Sequence, residues 1–152
     1  SIDDGWFTCL GELIHLNLGN NQLTTVSNQT FLGLSSLKYL DLSGNRLRQI
    51  QYGAFDSCDN LKTLNLGKNP LSYSSRMYSL HYPLSALLQL TSLKELSVDE
   101  ANEDYFGKDY QALKSMSTLK LGVDGSCDTI ELVDNYFIGF PFLKTIQING
   151  CS

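Results

Sequence analysis

LIHLNLGNNQL (13–23), LKYLDLSGNRL (37–47) and LKTLNLGKNPL (61–71) are copies of one pattern, L-x-x-L-x-L-x-x-N-x-L, whose opening residues Leu13, Leu37 and Leu61 stand 24 residues apart. The L-x-x-L-x-L half predicts a short extended segment that turns its leucines to one side, because side chains alternate along a strand. One such unit cannot bury its own apolar face. A fixed period of this length therefore predicts that successive units stack and bury a shared core.

Three further units keep the leucines and lose the asparagine. They open at Leu93-x-x-Leu96-x-Val98, Met116-x-x-Leu119-x-Leu121 and Leu143-x-x-Ile146-x-Ile148, after intervals of 32, 23 and 27 residues. Where asparagine belongs they carry Ala101, Asp124 and Cys151. Two more columns fix the registration. Six residues ahead of each unit stand Phe7, Phe31, Phe55, Leu87, Tyr110 and Phe137, and three ahead stand Leu10, Leu34, Cys58, Leu90, Leu113 and Phe140. The expected fold is an α/β repeat, a curved leucine-rich-repeat solenoid with a parallel concave sheet and about six units. Residues 1–152 read as one such segment, regular over 13–71 and lengthened or irregular over 72–152. No cysteine-rich cap closes either end, which reads as an uncapped fragment of a longer protein.

The asparagines have a physical task. An amide offers donors and an acceptor, so Asn21, Asn45 and Asn69 are expected to form a ladder that satisfies main-chain groups in their own and adjacent units. Phe31 and Phe55 are expected to form an apolar spine beneath the strands. Alanine cannot replace the amide, and an ionised aspartate cannot donate, so a change of twist or radius is expected beyond Asn69. The longest excursion, Ser72–Leu90, begins beside that break and should emerge away from the strand face.

Composition bounds the function. The 152 residues are 42% hydrophobic and 18% charged with a net charge of −5, a folded-protein balance that lacks the basic face a nucleic-acid backbone requires. No apolar run approaches the roughly 18–20 residues of a membrane span. SIDDGWFTCL (1–10) carries acids where a signal peptide is basic. Asn28-Gln29-Thr30 permits N-glycosylation. The four cysteines have no CxxC spacing. Cys58 lies in an apolar column and is expected as a buried free thiol. Cys127 and Cys151 lie at nearby places in consecutive units, within reach of a disulfide if their strands stack at about 4.8 Å. No catalytic motif, cofactor-binding loop or metal-ligand spacing occurs, so a non-enzymatic binding protein is expected.

Two surfaces are candidates for a partner. Residues between the buried leucines, His15, Asn17, Tyr39, Asp41, Thr63, Asn65, Glu95, Ser97, Lys120, Thr145 and Gln147, should face the concave side, with Tyr39 as the large aromatic anchor. The excursion supplies Tyr73, Met77, Tyr78, His81 and Tyr82, which combine aromatic and polarizable groups with polar handles. Packing of its aromatic and leucine side chains on the spine is the competing reading. Glu100, Glu103, Asp104 and Asp109 lack ordered calcium-ligand spacing and read as a solvated acidic face.

LSSLKYLDLSGNRLRQIQYGAFDSCDNLKTLNLGKNPL (34–71) followed by LTSLKELSVDEANEDYFGKDYQALKSMSTLKLGV (90–123) resembles the ectodomain of a Toll-like receptor. The likeness lies in the progression from regular repeats through a lengthened one to units without asparagine, and its style is nearest the lipopeptide-sensing Toll-like receptor 2 group. The resemblance implies an extracellular or lumenal ectodomain of a single-pass innate-immune receptor, with a microbial ligand, lipid-bearing in some relatives, and a second receptor chain as partners. It carries over scaffold positions, not ligand contacts. Two alternatives are a structural or adhesive extracellular repeat protein and an antigen binder like the variable lymphocyte receptors. Both favour uniform repeats, unlike this chain beyond Asn69.

Overall fold

The computed structural model describes residues 2–71, 84–99, 113–122, 137 and 140–149. Six short strands carry the L-x-L segments: β1 (His15–Asn17), β3 (Tyr39–Asp41), β5 (Thr63–Asn65), β6 (Glu95–Ser97), β7 (Thr118–Leu121) and β8 (Thr145–Ile148). They form one wholly parallel sheet in chain order. The leucines set its register, with Leu16 beside Leu40, Leu40 beside Leu64, Leu64 beside Leu96, Leu96 beside Leu119, and Leu119 beside Ile146. The pairing crosses the 32-, 23- and 27-residue intervals without a slip. A one-residue slip would turn every leucine to solvent, so burial enforces the register.

Behind the sheet lies a continuous apolar core. Leu37, Leu40, Leu42, Leu61, Leu64, Leu66, Leu93, Leu96, Leu119 and Leu121 are essentially inaccessible. The returning segments bring back the second layer. Phe31 stacks between Phe7 and Phe55, with ring centroids 6.3 and 5.8 Å apart, and Leu87 continues the column in the long unit. Cys58 fills the next column beside Leu34, Leu90 and Leu113, buried and unbridged as expected for an apolar position. Leu10, in the same column of the first unit, is exposed.

Two features of the return are absent from the sequence expectation. β2 (Thr25–Val26) and β4 (Gln49–Ile50) pair in parallel as a small second sheet, burying Val26 and Ile50. Helix is scarce among the described residues. Its only segment is α1 (Leu84–Leu87) in the long unit, and the returns after β2 and β4 are runs of turns.

The ladder explains how strands become returns. Asn45 is buried, and its Nδ2 donates to the carbonyls of Leu18 (2.9 Å), Leu42 (2.9 Å) and Ser43 (3.3 Å), while its Oδ1 accepts from the Leu23 amide (3.0 Å). Asn69 repeats the pattern one unit on, donating to Leu42, Leu66 and Gly67 and accepting from Leu47. Asn21 departs from the expectation. It is exposed, and it donates only within its own turn, to Leu18 and Gly19. A ladder rung needs a unit on its N-terminal side to receive the second donor, and β1 has no strand on that side in the sheet.

The turn beside each rung requires a left-handed residue. Asn20, Gly44 and Lys68 occupy it with φ of 56°, 64° and 57°. Glycine and asparagine adopt this conformation at little steric cost, whereas lysine does not. Lys68 is held there by the next unit. The Asp99 carboxylate accepts from the Lys68 amide (2.8 Å) and the Asn69 amide (3.1 Å). In the regular units the equivalent amides of Asn20 and Gly44 donate instead to the carbonyls of Ser43 and Gly67. A side-chain carboxylate thus replaces a main-chain carbonyl at the last rung, where the asparagine column stops.

Candidate binding face

Parallel sheets are ordinarily covered on both faces. Here one face packs on the leucine core, while the other forms an open trough of about 310 Å³ across β1, β3, β5, β6 and β7. Its lining includes His15, Asn17, Tyr39, Asp41, Thr63, Asn65, Glu95, Ser97 and Lys120, so the predicted strand-face residues do converge. Ser97 is nonetheless buried, whereas Thr145 and Gln147 on β8 are exposed beyond the trough.

Strand register builds the trough's most specific feature. His15 and Tyr39 are in-register neighbours, and their rings stack with centroids 4.3 Å apart and planes 4° from parallel. Tyr39 keeps 42% of its surface exposed, so it offers an amphipathic anchor already held in place. Sequence reasoning placed both residues on this face and singled out Tyr39 as the anchor, without pairing it with His15. The available signal was the 24-residue spacing itself, which puts 15 and 39 on adjacent strands.

Beside the stack, Asp41 Oδ1 accepts from the Ser43 amide (2.9 Å) and hydroxyl (2.6 Å). Asn17 and Asn65 close equivalent turns by accepting from Gly19 and Gly67. Across the sheet Lys120 Nζ meets Glu95 Oε1 at 2.6 Å, with each side chain about one-third exposed (32% and 31%). An ion pair this exposed contributes at most about 1 kcal/mol. Its larger effect is to fix two charges at the far wall of the trough.

Among the described residues no cluster of three His, Cys, Asp or Glu side chains is placed to hold a metal. Burial, reinforced by the neighbouring Asp59, pushes the Cys58 thiol up to about 12, which keeps it protonated and unreactive. Tyr73, Met77, Tyr78, His81 and Tyr82 of the excursion lie outside the described residues, as do Cys127, Cys151 and the acidic cluster. Asn28 is exposed in the turn after β2.

In-register leucines, a stacked phenylalanine spine and interlocking asparagine amides together decide the architecture. The fold is a leucine-rich-repeat solenoid. A leucine rich repeat family profile matches residues 1–47. No curated protein matches the chain. Solved structures that share the fold include three from different settings. TLR13 in its ssRNA13 complex is 22% identical with a TM-score of 0.55, over 97% of this chain and 28% of that one. Internalin C2 from Listeria monocytogenes is 18% identical with a TM-score of 0.59, over 94% and 54%. Human 5T4, the Wnt-activated inhibitory factor 1 or trophoblast glycoprotein, is 22% identical with a TM-score of 0.62, over 92% and 52%. The chain therefore spans just over half, or less, of each of these proteins. Likeness at these identities establishes the leucine-rich-repeat fold alone, since one scaffold carries many functions.

Proposed function

We propose that this chain is part of the extracellular ligand-recognition region of an innate-immune pattern-recognition receptor and acts as a non-catalytic binding scaffold. The observation that carries the binding role is the uncovered trough with the stacked His15–Tyr39 pair at its β1–β3 end. The receptor reading draws on the sequence of 34–123, where regular repeats give way to a lengthened one and then to units without the asparagine. The narrower likeness to the Toll-like receptor 2 group rests on that sequence alone. Partners would be a microbial molecule and a second receptor chain.

The trough's chemistry narrows the ligand. Asp41, Asn17, Asn65, Thr63 and the Glu95–Lys120 pair suit a polar head group or saccharide, with Tyr39 packing against its less polar face. An acyl chain needs an enclosed apolar slot, whereas this trough is open and most of its side chains are polar or charged. TLR13 is described in complex with ssRNA, but two carboxylates and one ammonium group here oppose a polyphosphate chain.

Binding of the immobilised chain to lipopeptide, lipopolysaccharide, a peptidoglycan fragment and single-stranded RNA tests the reading. The expected result is saturable binding of one non-nucleic-acid member, weakened at least about tenfold by Tyr39→Ala, the loss of a modest anchor of roughly 1.4 kcal/mol. Binding indifferent to Tyr39→Ala would remove the trough as the site. Binding of a matrix component in place of every microbial one would favour the adhesive reading.

A further inference from the structure

We propose that Asn28 carries an N-linked glycan whose first N-acetylglucosamine ring lies against Tyr52; the inference rests on the extracellular reading above. Asn28-Gln29-Thr30 is the single Asn-x-Ser/Thr sequence in the chain. Asn28 and Tyr52 are 24 residues apart and occupy the same position in consecutive units. The register leading into them is fixed by the β2–β4 pairs Thr25–Gln49 and Val26–Ile50, and by the Gln51 amide donating to the Val26 carbonyl at 2.9 Å. Proximity shows at the next residue as well, since a Cβ on Gly53 would lie 3.5 Å from Asn28 Cβ.

Both side chains face solvent. Asn28 makes no hydrogen bond among the described residues, so its amide is free to be modified. Tyr52 is 67% exposed, among the most exposed large side chains described and unneeded by the core. A sugar on Asn28 would present its axial C–H groups to that ring, with the Asp56 carboxylate nearby to accept from its N–H or hydroxyls.

The structure also orders the events. Thr30, the hydroxyl residue the sequence motif requires, is 4% exposed. Its Oγ1 accepts from the Ser27 amide (2.9 Å) and lies 3.1 Å from Ser27 Oγ, which donates to Asp4 (2.9 Å). A transferase cannot read an enclosed hydroxyl, so transfer precedes folding of this unit. Asn28 Nδ2 bonds to C1 of an oligosaccharide carried on a lipid diphosphate. The C1–oxygen bond breaks, the diphosphate leaves with the electron pair, and the amide nitrogen gives up one proton.

The test is the full chain secreted from mammalian cells behind an added signal peptide, which separates the site from the natural routing. Peptide N-glycosidase should remove mass and convert Asn28 to aspartate, and Asn28→Gln should lack both changes. The N-acetyl methyl resonance of the first sugar should lie upfield of its position in Tyr52→Ala. Folded, sugar-free chain offered to the transferase with lipid-linked oligosaccharide should stay unmodified, while the 26–32 peptide is modified. An unmodified Asn28 in the secreted chain would overturn the site, and an unchanged methyl resonance in Tyr52→Ala would overturn the platform. Efficient modification of folded chain would overturn the order of events. Surface staining of the natural protein tests the extracellular reading separately.

Discussion

Replacing Asn45 by alanine tests the ladder most directly, and the structure fixes what is lost. The amide makes four hydrogen bonds, but they are not equivalent. The Leu18 carbonyl keeps a donor from Asn21, the Leu42 carbonyl keeps one from Asn69, and the Ser43 carbonyl keeps the Asn20 amide. Only the Leu23 amide, on a residue 7% exposed, loses the partner it has. Stranding one buried donor costs about 1–3 kcal/mol, and the shared carbonyls lose a further few tenths to about 1 kcal/mol each. The expected loss for Asn45→Ala is therefore roughly 2–6 kcal/mol. Asn21→Ala strands no amide and bonds only exposed turn carbonyls, so it should cost under about 1 kcal/mol. Urea unfolding followed by far-ultraviolet circular dichroism measures the difference, and hydrogen exchange at the Leu23 amide locates it. Equal stability of the two variants, with Leu23 exchange unchanged in Asn45→Ala, would refute the rung assignment.

Asp99→Ala should speed hydrogen exchange at Lys68 and Asn69, whose amides its two oxygens receive, and cost about 1–3 kcal/mol; unchanged exchange would remove its role at the last rung. The cysteines should separate by location. Cys9, exposed, should react with iodoacetamide in the folded chain and Cys58 only after unfolding, while Cys127 and Cys151 should react only after reduction; four thiols free without reduction would exclude that bridge. Cys58 also sets a pH dependence. Because its thiol is raised from 9.0 to about 12 in the fold, its contribution is intact below pH 9. It is lost as pH rises from 9 towards 12, since only the unfolded thiol ionises readily there, with a slope of at most about 1.4 kcal/mol per pH unit. Cys58→Ala should flatten that part of the stability profile.

Legibility in the sequence followed the range of the interaction. The strands, the leucine register across unequal intervals and the buried Cys58 repeat at fixed offsets, so position in the unit suffices to place them. Ladder membership did not follow from position alone. Asn21, Asn45 and Asn69 are identical in the pattern, yet Asn21 donates only within its own turn. The short β2–β4 sheet was missed because two-residue strands carry no periodicity of their own. On the binding face, Tyr39 was visible as a bulky residue among small ones, whereas His15 became relevant only through its stacking on Tyr39.

By itself the sequence determined that this protein is a stack of repeats with a shared apolar core, because a 24-residue period of leucines has no other way to escape water. The tertiary structure alone decided how the regular half ends. Asp99 stands at no asparagine position, and its carboxylate acts only because the 32-residue unit returns in register and delivers it to the amides of Lys68 and Asn69. The same holds for the His15–Tyr39 stack and for the Asn28–Tyr52 neighbours. Each joins residues one unit apart, whose meeting depends on how units stack and not on what either residue is.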